Sequence, residues 1–196
     1  MGLSIHYSGS FRKGASLSEM IEEVKDIISV YKWKYSVYEE EFPDETFSDS
    51  SYNQNIYGIS FTPPGCETVS ISFLSNGRMS SYPALKFFGK TENQQEQEYL
   101  YMLAVKTQYA GIEVHKLIIH LFKYLNEKYF QDFKVLDEGE YWESGDENLL
   151  QETFKRYTNL INSFTSAIEN IPSNEGETLE SYLKRLMSVI QNRKDK

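Results

Sequence analysis

Cysteine is nearly absent from this chain: Cys66 is its single thiol. One thiol cannot close an internal disulfide, so the expected compartment is the reducing cytoplasm. Long hydrophobic runs are missing as well. No stretch approaches the roughly 20 apolar residues that a membrane span requires, and Leu3–Tyr7 is too short for the apolar region of a secretory leader. His6 stands where an N-myristoylation signal wants Ser or Thr. No membrane attachment is expected.

Positive charge is in short supply, with 20 Lys and Arg against 29 Asp and Glu and a net charge of −9. Binding to nucleic acid or to an anionic membrane draws its free energy from clustered cations that release counterions, so neither is an expected partner. A protein with a basic surface is. The cations are scattered except for Lys184, Arg185, Arg193, Lys194 and Lys196, which suit the solvated end of a helix.

Catalytic signatures are equally sparse. There is no His-Glu-x-x-His, Cys-x-x-Cys, Gly-x-Ser-x-Gly or dinucleotide fingerprint, and no cofactor is expected. His115 and His120 are separated by an angle of about 140° on a helix and cannot share one ion. Cys66 follows Pro63-Pro64-Gly65 with no neighbouring base in sequence to activate it.

What the chain does contain is enough apolar material for one core: 196 residues, 40% hydrophobic, 15% aromatic, the aromatics mostly Tyr and Phe. Leu3–Ser8 reads as a strand. A helix follows over 17–31, capped by Ser16 with Glu19 and carrying Leu17, Met20, Ile21, Val24, Ile27, Ile28 and Tyr31 on one stripe. Lys34–Phe42 reads as a strand that runs into an acidic loop from Pro43 to Asp49. Ile56–Phe61 and Thr68–Phe73 are strands, the second alternating Val69, Ile71 and Phe73 with wet Thr68, Ser70 and Ser72. Asn76-Gly77 signals a type I′ hairpin with a return strand near Leu85–Phe88.

Tyr99–Thr107 is apolar on both alternations, as in a central strand covered on both sides. A helix over 110–129 sets Val114, Ile118, Leu121 and Leu125 opposite Glu113, Lys116, His120, Lys123 and Glu127. A short strand, 133–136, comes next. Two amphipathic helices close the chain, separated by a turn over 172–176, and offer a surface for self-association. The expectation is therefore an α+β fold: a mixed sheet with two strand-helix-strand units around a β-meander, followed by a C-terminal helical hairpin. One domain over 1–196 is expected, with the hairpin from 146 onward packed on it.

Gly9–Ser16 has the strand-loop-helix context of a P-loop, but Ala15 occupies the place of its lysine. An anion held by the helix N-terminus with Arg12 and Lys13 is the remaining functional reading, against a plain capped loop. The second unit is richer. Lys106 and Gln108 leave a strand just before a helix, His115 lies one turn into it, and Asp137 and Glu138 leave the strand expected to run parallel, followed by Glu140, Tyr141 and Trp142. Residues at the carboxyl ends of such strands converge on the usual ligand crevice. Asp137, Glu138, Glu140 or Asp146 could bind Mg²⁺ or Ca²⁺ and activate water. Equally, Ser144 and Glu147 make a second capping box, His115 suits a satisfied half-buried histidine, and the remaining carboxylates suit a solvated or partner-binding face.

The stretch Lys106-Thr107-Gln108-Tyr109-Ala110-Gly111, then His115, then Asp137-Glu138-Gly139-Glu140-Tyr141-Trp142-Glu143-Ser144-Gly145-Asp146 resembles a pattern of small uncharacterised bacterial proteins. That resemblance implies no activity. In size, acidity and α+β build the chain is also similar to immunity proteins of bacterial toxin systems, which implies a protein that neutralises a toxin domain by binding it. Two expectations stand: a non-enzymatic binding module whose acidic loops, 39–49 and 137–147, meet a basic partner, or a metal-assisted hydrolase on Asp137, Glu138, Glu140 and His115.

Overall fold

A computed structural model describes residues 2–43 and 51–194. The chain falls into two compact units, Met1–Leu150 and Gln151–Lys196. The acidic loop expected to reach Asp49 lies, from Asp44 onward, outside the described residues.

In the first unit β1 (Ser4–Phe11) is followed by α1 (Leu17–Val30), β2 (Lys34–Val37), β3 (Tyr57–Thr62) and β4 (Val69–Phe73). Then come α2 (Tyr82–Phe88), α3 (Gln94–Tyr99), β5 (Leu103–Lys106), α4 (Ile112–Lys128), β6 (Phe130–Asp137) and α5 (Tyr141–Ser144). The fold is α+β, with two three-stranded antiparallel sheets in the orders β5-β1-β6 and β2-β3-β4. Of the expected meander β3 and β4 pair as foreseen, but the strand that completes their sheet is β2, expected in the first strand-helix-strand unit, and not a return strand near Leu85–Phe88. The single mixed sheet is replaced by these two sheets, because β1 and β2, the ends of the first strand-helix-strand unit, belong to different sheets. In the second strand-helix-strand segment β5 and β6 are both antiparallel to β1. They therefore run in the same direction, as a crossover through α4 requires, but β1 occupies the place between them.

Helix periodicity is honoured where it was strong. Ser16 Oγ accepts from the Glu19 amide at 3.2 Å, and Leu17, Met20, Ile21, Val24 and Ile28 of α1 are buried. α4 packs on its sheet with Phe122 against Tyr7, ring centroids 4.6 Å apart, and against Phe133 at 5.7 Å. Phe73 joins the sheets by touching Phe11 at 5.1 Å and Phe130 at 5.9 Å.

Three local expectations are corrected. Leu85–Phe88 is part of α2, because the Ser81 hydroxyl accepts from the Ala84 amide and Pro83 sits in the first turn, where its missing N–H costs nothing. Tyr99–Thr107 is a strand over Leu103–Lys106 alone, since Asn93 caps α3 just before it. At Asn76-Gly77 the turn closes by Gly77 N–H to Leu74 O at 2.9 Å, and Gly77 has φ +81° while Asn76 does not enter the left-handed region. That is the three-residue loop ending in a left-handed glycine, in place of type I′.

The second unit contains most of α6 (Glu147–Asn170) and all of α7 (Leu179–Lys194). Ala167 and Leu186 are its buried centre, with Phe164, Ile171 and Tyr182 around them. The turn between the helices is clamped by a fork. Arg185 Nε and Nη2 donate to Glu177 Oε1 at 3.0 Å and Oε2 at 2.7 Å, Nη2 reaches Pro172 O at 2.9 Å, and the Asn174 amide donates to Glu177 Oε2 at 3.0 Å. Arg185 first, and the Asn174 amide second, pull the Glu177 carboxyl down to about 2. A depressed carboxyl contributes stability above its unfolded value that disappears as pH falls through the folded one. Glu177→Gln should therefore speed amide exchange over 171–178 relative to wild type at pH 6, and the difference should vanish near pH 2.

Candidate functional site

The carboxyl ends of β5 and β6 flank the start of β1, and α4 begins between them. Beyond β5 the Thr107 amide still donates to Leu3 O at 3.0 Å. Gly111, at φ +86°, turns the chain into α4 and places His115 in its first turns. Beyond β6 the Glu138 amide donates to Ser4 O at 3.1 Å.

Here the structure assembles a buried polar chain. Thr107 Oγ1 is 2.8 Å from His115 Nδ1, and His115 Nε2 is 3.1 Å from Asp137 Oδ1. The His115 and Asp137 side chains have no exposed surface. Asp137 Oδ1 also accepts from the Gly139 amide at 2.7 Å, and Oδ2 accepts from the amides of Tyr141 and Trp142 at 2.8 and 3.0 Å. Four donors thus fill the four acceptor positions of one carboxylate. Burial by itself would raise the Asp137 carboxyl. The His115 hydrogen bond and charge, with the Gly139 and Trp142 amides, outweigh it and hold the group below the usual carboxylate range. An ionised Asp137 only accepts, so His115 turns an N–H at Nε2 toward it, while Thr107 Oγ1 stands at Nδ1 with its hydroxyl also 3.4 Å from Leu3 O.

The remaining expected site residues go to different neighbours. Glu138 Oε2 accepts from the Ser4 amide at 2.7 Å, with Oε1 3.8 Å from His6 Nε2. The Lys106 and Gln108 side chains converge beside Gly2, where an added Cβ would come within 2.8 Å of Lys106 Nζ. Gln108 Oε1 is buried and accepts no hydrogen bond from the described residues. Tyr141 is buried with its hydroxyl 3.3 Å from His120 Nε2, and the Trp142 ring meets Phe133 edge-on at 5.9 Å beneath Lys123. Glu140 is exposed at φ +60°. The second capping box is corrected: Asp146 caps α6, accepting from the amides of Asn148 and Leu149, while Ser144 donates to Glu140 O and Glu147 pairs with Lys116 at 2.8 Å.

No protein-family model, curated protein or solved structure matches the chain. The site must be read from its own chemistry.

At the first loop Arg12 donates to the carbonyls of Asn126, Glu127 and Phe130 at 2.7 to 3.0 Å. It thus satisfies the carboxyl end of α4, where a cation is favoured, and its guanidinium faces carbonyl oxygens in place of the anion expected beside Lys13. Cys66 Sγ lies 3.4 Å from Lys106 O, and burial, reinforced by Glu67, pushes its thiol up to about 12. A thiol so protonated is a poor nucleophile. Among the described residues no group of three His, Cys, Asp or Glu side chains is placed to hold a metal, and no helix is long and apolar enough to cross a membrane.

A second feature escaped sequence reasoning. A groove of about 510 Å³ lies between the polar face of β2–β4 and the stretch Met102–Ala104, with the amino end of α2 as its third wall. Thr68 and Ser70, which the alternation marked as merely wet, line it. Nothing in the sequence says that β5 stands opposite them.

Proposed function

We propose that this chain is a non-enzymatic protein-binding module of the immunity type, acting in the reducing cytoplasm on a partner with a basic surface. One observation carries the reading: the turn after β6 is a rigid mount for exposed negative charge. Asp137 ties the turn down through three amides and His115, so that Glu140 and Glu143 stand in solvent. Among the described residues no cation pairs with either carboxylate. A preorganised charged surface loses little conformational entropy on binding and steers a cationic partner toward it. Glu39, Glu40 and Glu41 add exposed acidity after β2.

The groups suited to catalysis support binding over turnover. The His115–Asp137 pair is sealed from solvent, and Asp137 has no free lone pair for a metal, so the metal-assisted hydrolase gains no support from this geometry. Glu138 is tied to the Ser4 backbone, which makes Glu140 and Glu143 the informative positions to change. Affinity capture of proteins encoded beside its gene should weaken several-fold with Glu140→Gln plus Glu143→Gln and with rising salt. Capture that ignores both changes sinks the reading.

A further inference from the structure

We propose that the groove between the sheets binds an extended, uncharged peptide segment of a partner protein, paired with the open edge of β5. The argument begins with the ladder. Thr107 bonds to Leu3 across β1, and the register sets Ser4 opposite Lys106 and His6 opposite Ala104. Bonded and non-bonded pairs alternate in an antiparallel ladder, so Lys106 and Ala104 turn their N–H and C=O away from β1. Glu67 satisfies Lys106, accepting its N–H at Oε2 (2.9 Å) and donating its own amide to the Lys106 carbonyl (3.2 Å). Ala104 is exposed, lines the groove and forms no such bond among the described residues.

Across the groove the facing edge of β4 is closed from within the chain. The Ser70 amide donates to Tyr7 Oη at 3.1 Å, the Tyr7 hydroxyl donates to Ser70 O at 3.0 Å, and Ser72 O accepts from the Ser80 amide at 3.0 Å. One hydroxyl thus replaces a missing strand at Ser70. On the β4 and β5 edges Ser70, Ser72 and Lys106 are thus satisfied within the chain, whereas at Ala104 a donor and an acceptor stand in strand geometry. Another main chain in extended form matches that pair.

The walls define the occupant further. Ser36, Ser60 and Ser70 lie side by side across the meander, and their short side chains leave room above that face, with the Ser60 hydroxyl held by Tyr38 Oη at 3.1 Å. Met102 and Tyr82, 63% and 56% exposed, form an apolar rim at the α2 end. Lys34 and Glu67 are the charges lining the groove and they cancel, so a chain of net charge −9 presents here a surface complementary to a neutral segment with one apolar side chain. A groove of about 510 Å³ is within the roughly 300–1,000 Å³ of ligand sites. This inference rests on the reading of the chain as a protein binder but uses a surface other than the acidic turn.

The test is selection of phage-displayed random nonapeptides on the full-length protein, then anisotropy measurements with the enriched peptides. Enrichment of uncharged sequences is expected. Single N-methylation along such a peptide should weaken binding at least tenfold at one position only, the residue that pairs with Ala104, and Ala104→Pro, which removes the outward N–H of an edge strand, should do the same. The Ala104 amide should gain protection from exchange when peptide is bound. Glu140→Gln with Glu143→Gln should leave the affinity unchanged, so failure here is separable from failure of the acidic turn. No enrichment, enrichment of charged peptides, N-methyl sensitivity at no position or at several, or an Ala104 amide that stays unprotected each overturns the proposal. The N-methyl series decides on the wild-type protein if the proline variant does not fold.

Discussion

Asp137→Ala lowers the unfolding free energy by about 3–5 kcal/mol, the range for removing one partner from a buried charged pair. The magnitude follows from what is left behind. The Gly139, Tyr141 and Trp142 amides and the His115 imidazole all point at this carboxylate, and its side chain has no exposed surface, so truncation leaves buried donors without their acceptor. Asp137→Asn should cost about 2–3 kcal/mol, because it keeps one acceptor oxygen but turns an NH₂ toward the two amides that lose theirs. His115→Ala combined with Asp137→Ala should cost less than the two single changes together, as for any pair sharing one network. The pH dependence carries a definite sign. The folded carboxyl is held below its ordinary value, so the unfolded chain binds the extra proton, and the stabilisation present at neutral pH is lost as pH falls below about 4. Urea titrations at pH 7 and pH 3 should show the gap between wild type and Asp137→Asn narrowing in acid. A gap under about 1 kcal/mol at pH 7 would mean that the network does not hold the turn.

The convergence of His115 and Asp137 was legible because both follow strands that a crossover helix must align. Its third member was not. Lys106 and Gln108 drew attention as polar residues leaving a strand just before a helix, whereas Thr107 between them reaches His115. Gly139 did leave a signal: an Asp two residues before a glycine is the pattern of an Asx-turn, and Asp137 Oδ1 accepts the Gly139 amide. The periodic helices α1, α4, α6 and α7 were readable because apolar stripes of that length have one interpretation. Leu85–Phe88 was too short to have one, and its cap Ser81 lay outside the apolar run. The division into two sheets was not readable at all, since strand partners are chosen by tertiary packing. The groove shares that reason, because its walls come from β2–β4, α2 and β5, which no local pattern relates.

Gly58→Ala should be nearly as damaging as loss of Asp137, at about 3–5 kcal/mol when left-handed strain and overpacking add. Gly58 sits inside β3 with φ +118°, where residues with a Cβ scarcely occur. A Cβ there would press into Ile71 O on the neighbouring strand and lie 3.1 Å from Ser72 Cα, and both obstacles are backbone that cannot swing aside. The same residue secures the chain after β2, donating to Glu39 O and accepting from the Tyr38 amide, each at 2.9 Å. Gly14→Ala is the control, because Gly14 also has positive φ, +86°, but nothing lies within 4 Å of its added Cβ. Its cost should be about 1–2 kcal/mol, the left-handed penalty alone. The excess of Gly58→Ala over Gly14→Ala in equilibrium unfolding therefore measures the strand-to-strand clash, and amide exchange at Tyr38 should rise in the first variant only. Equal costs would show that conformation, and not the approach of β4, demands glycine in β3. In that case the meander face beneath the groove would tolerate a wider spacing between β3 and β4 than its register implies.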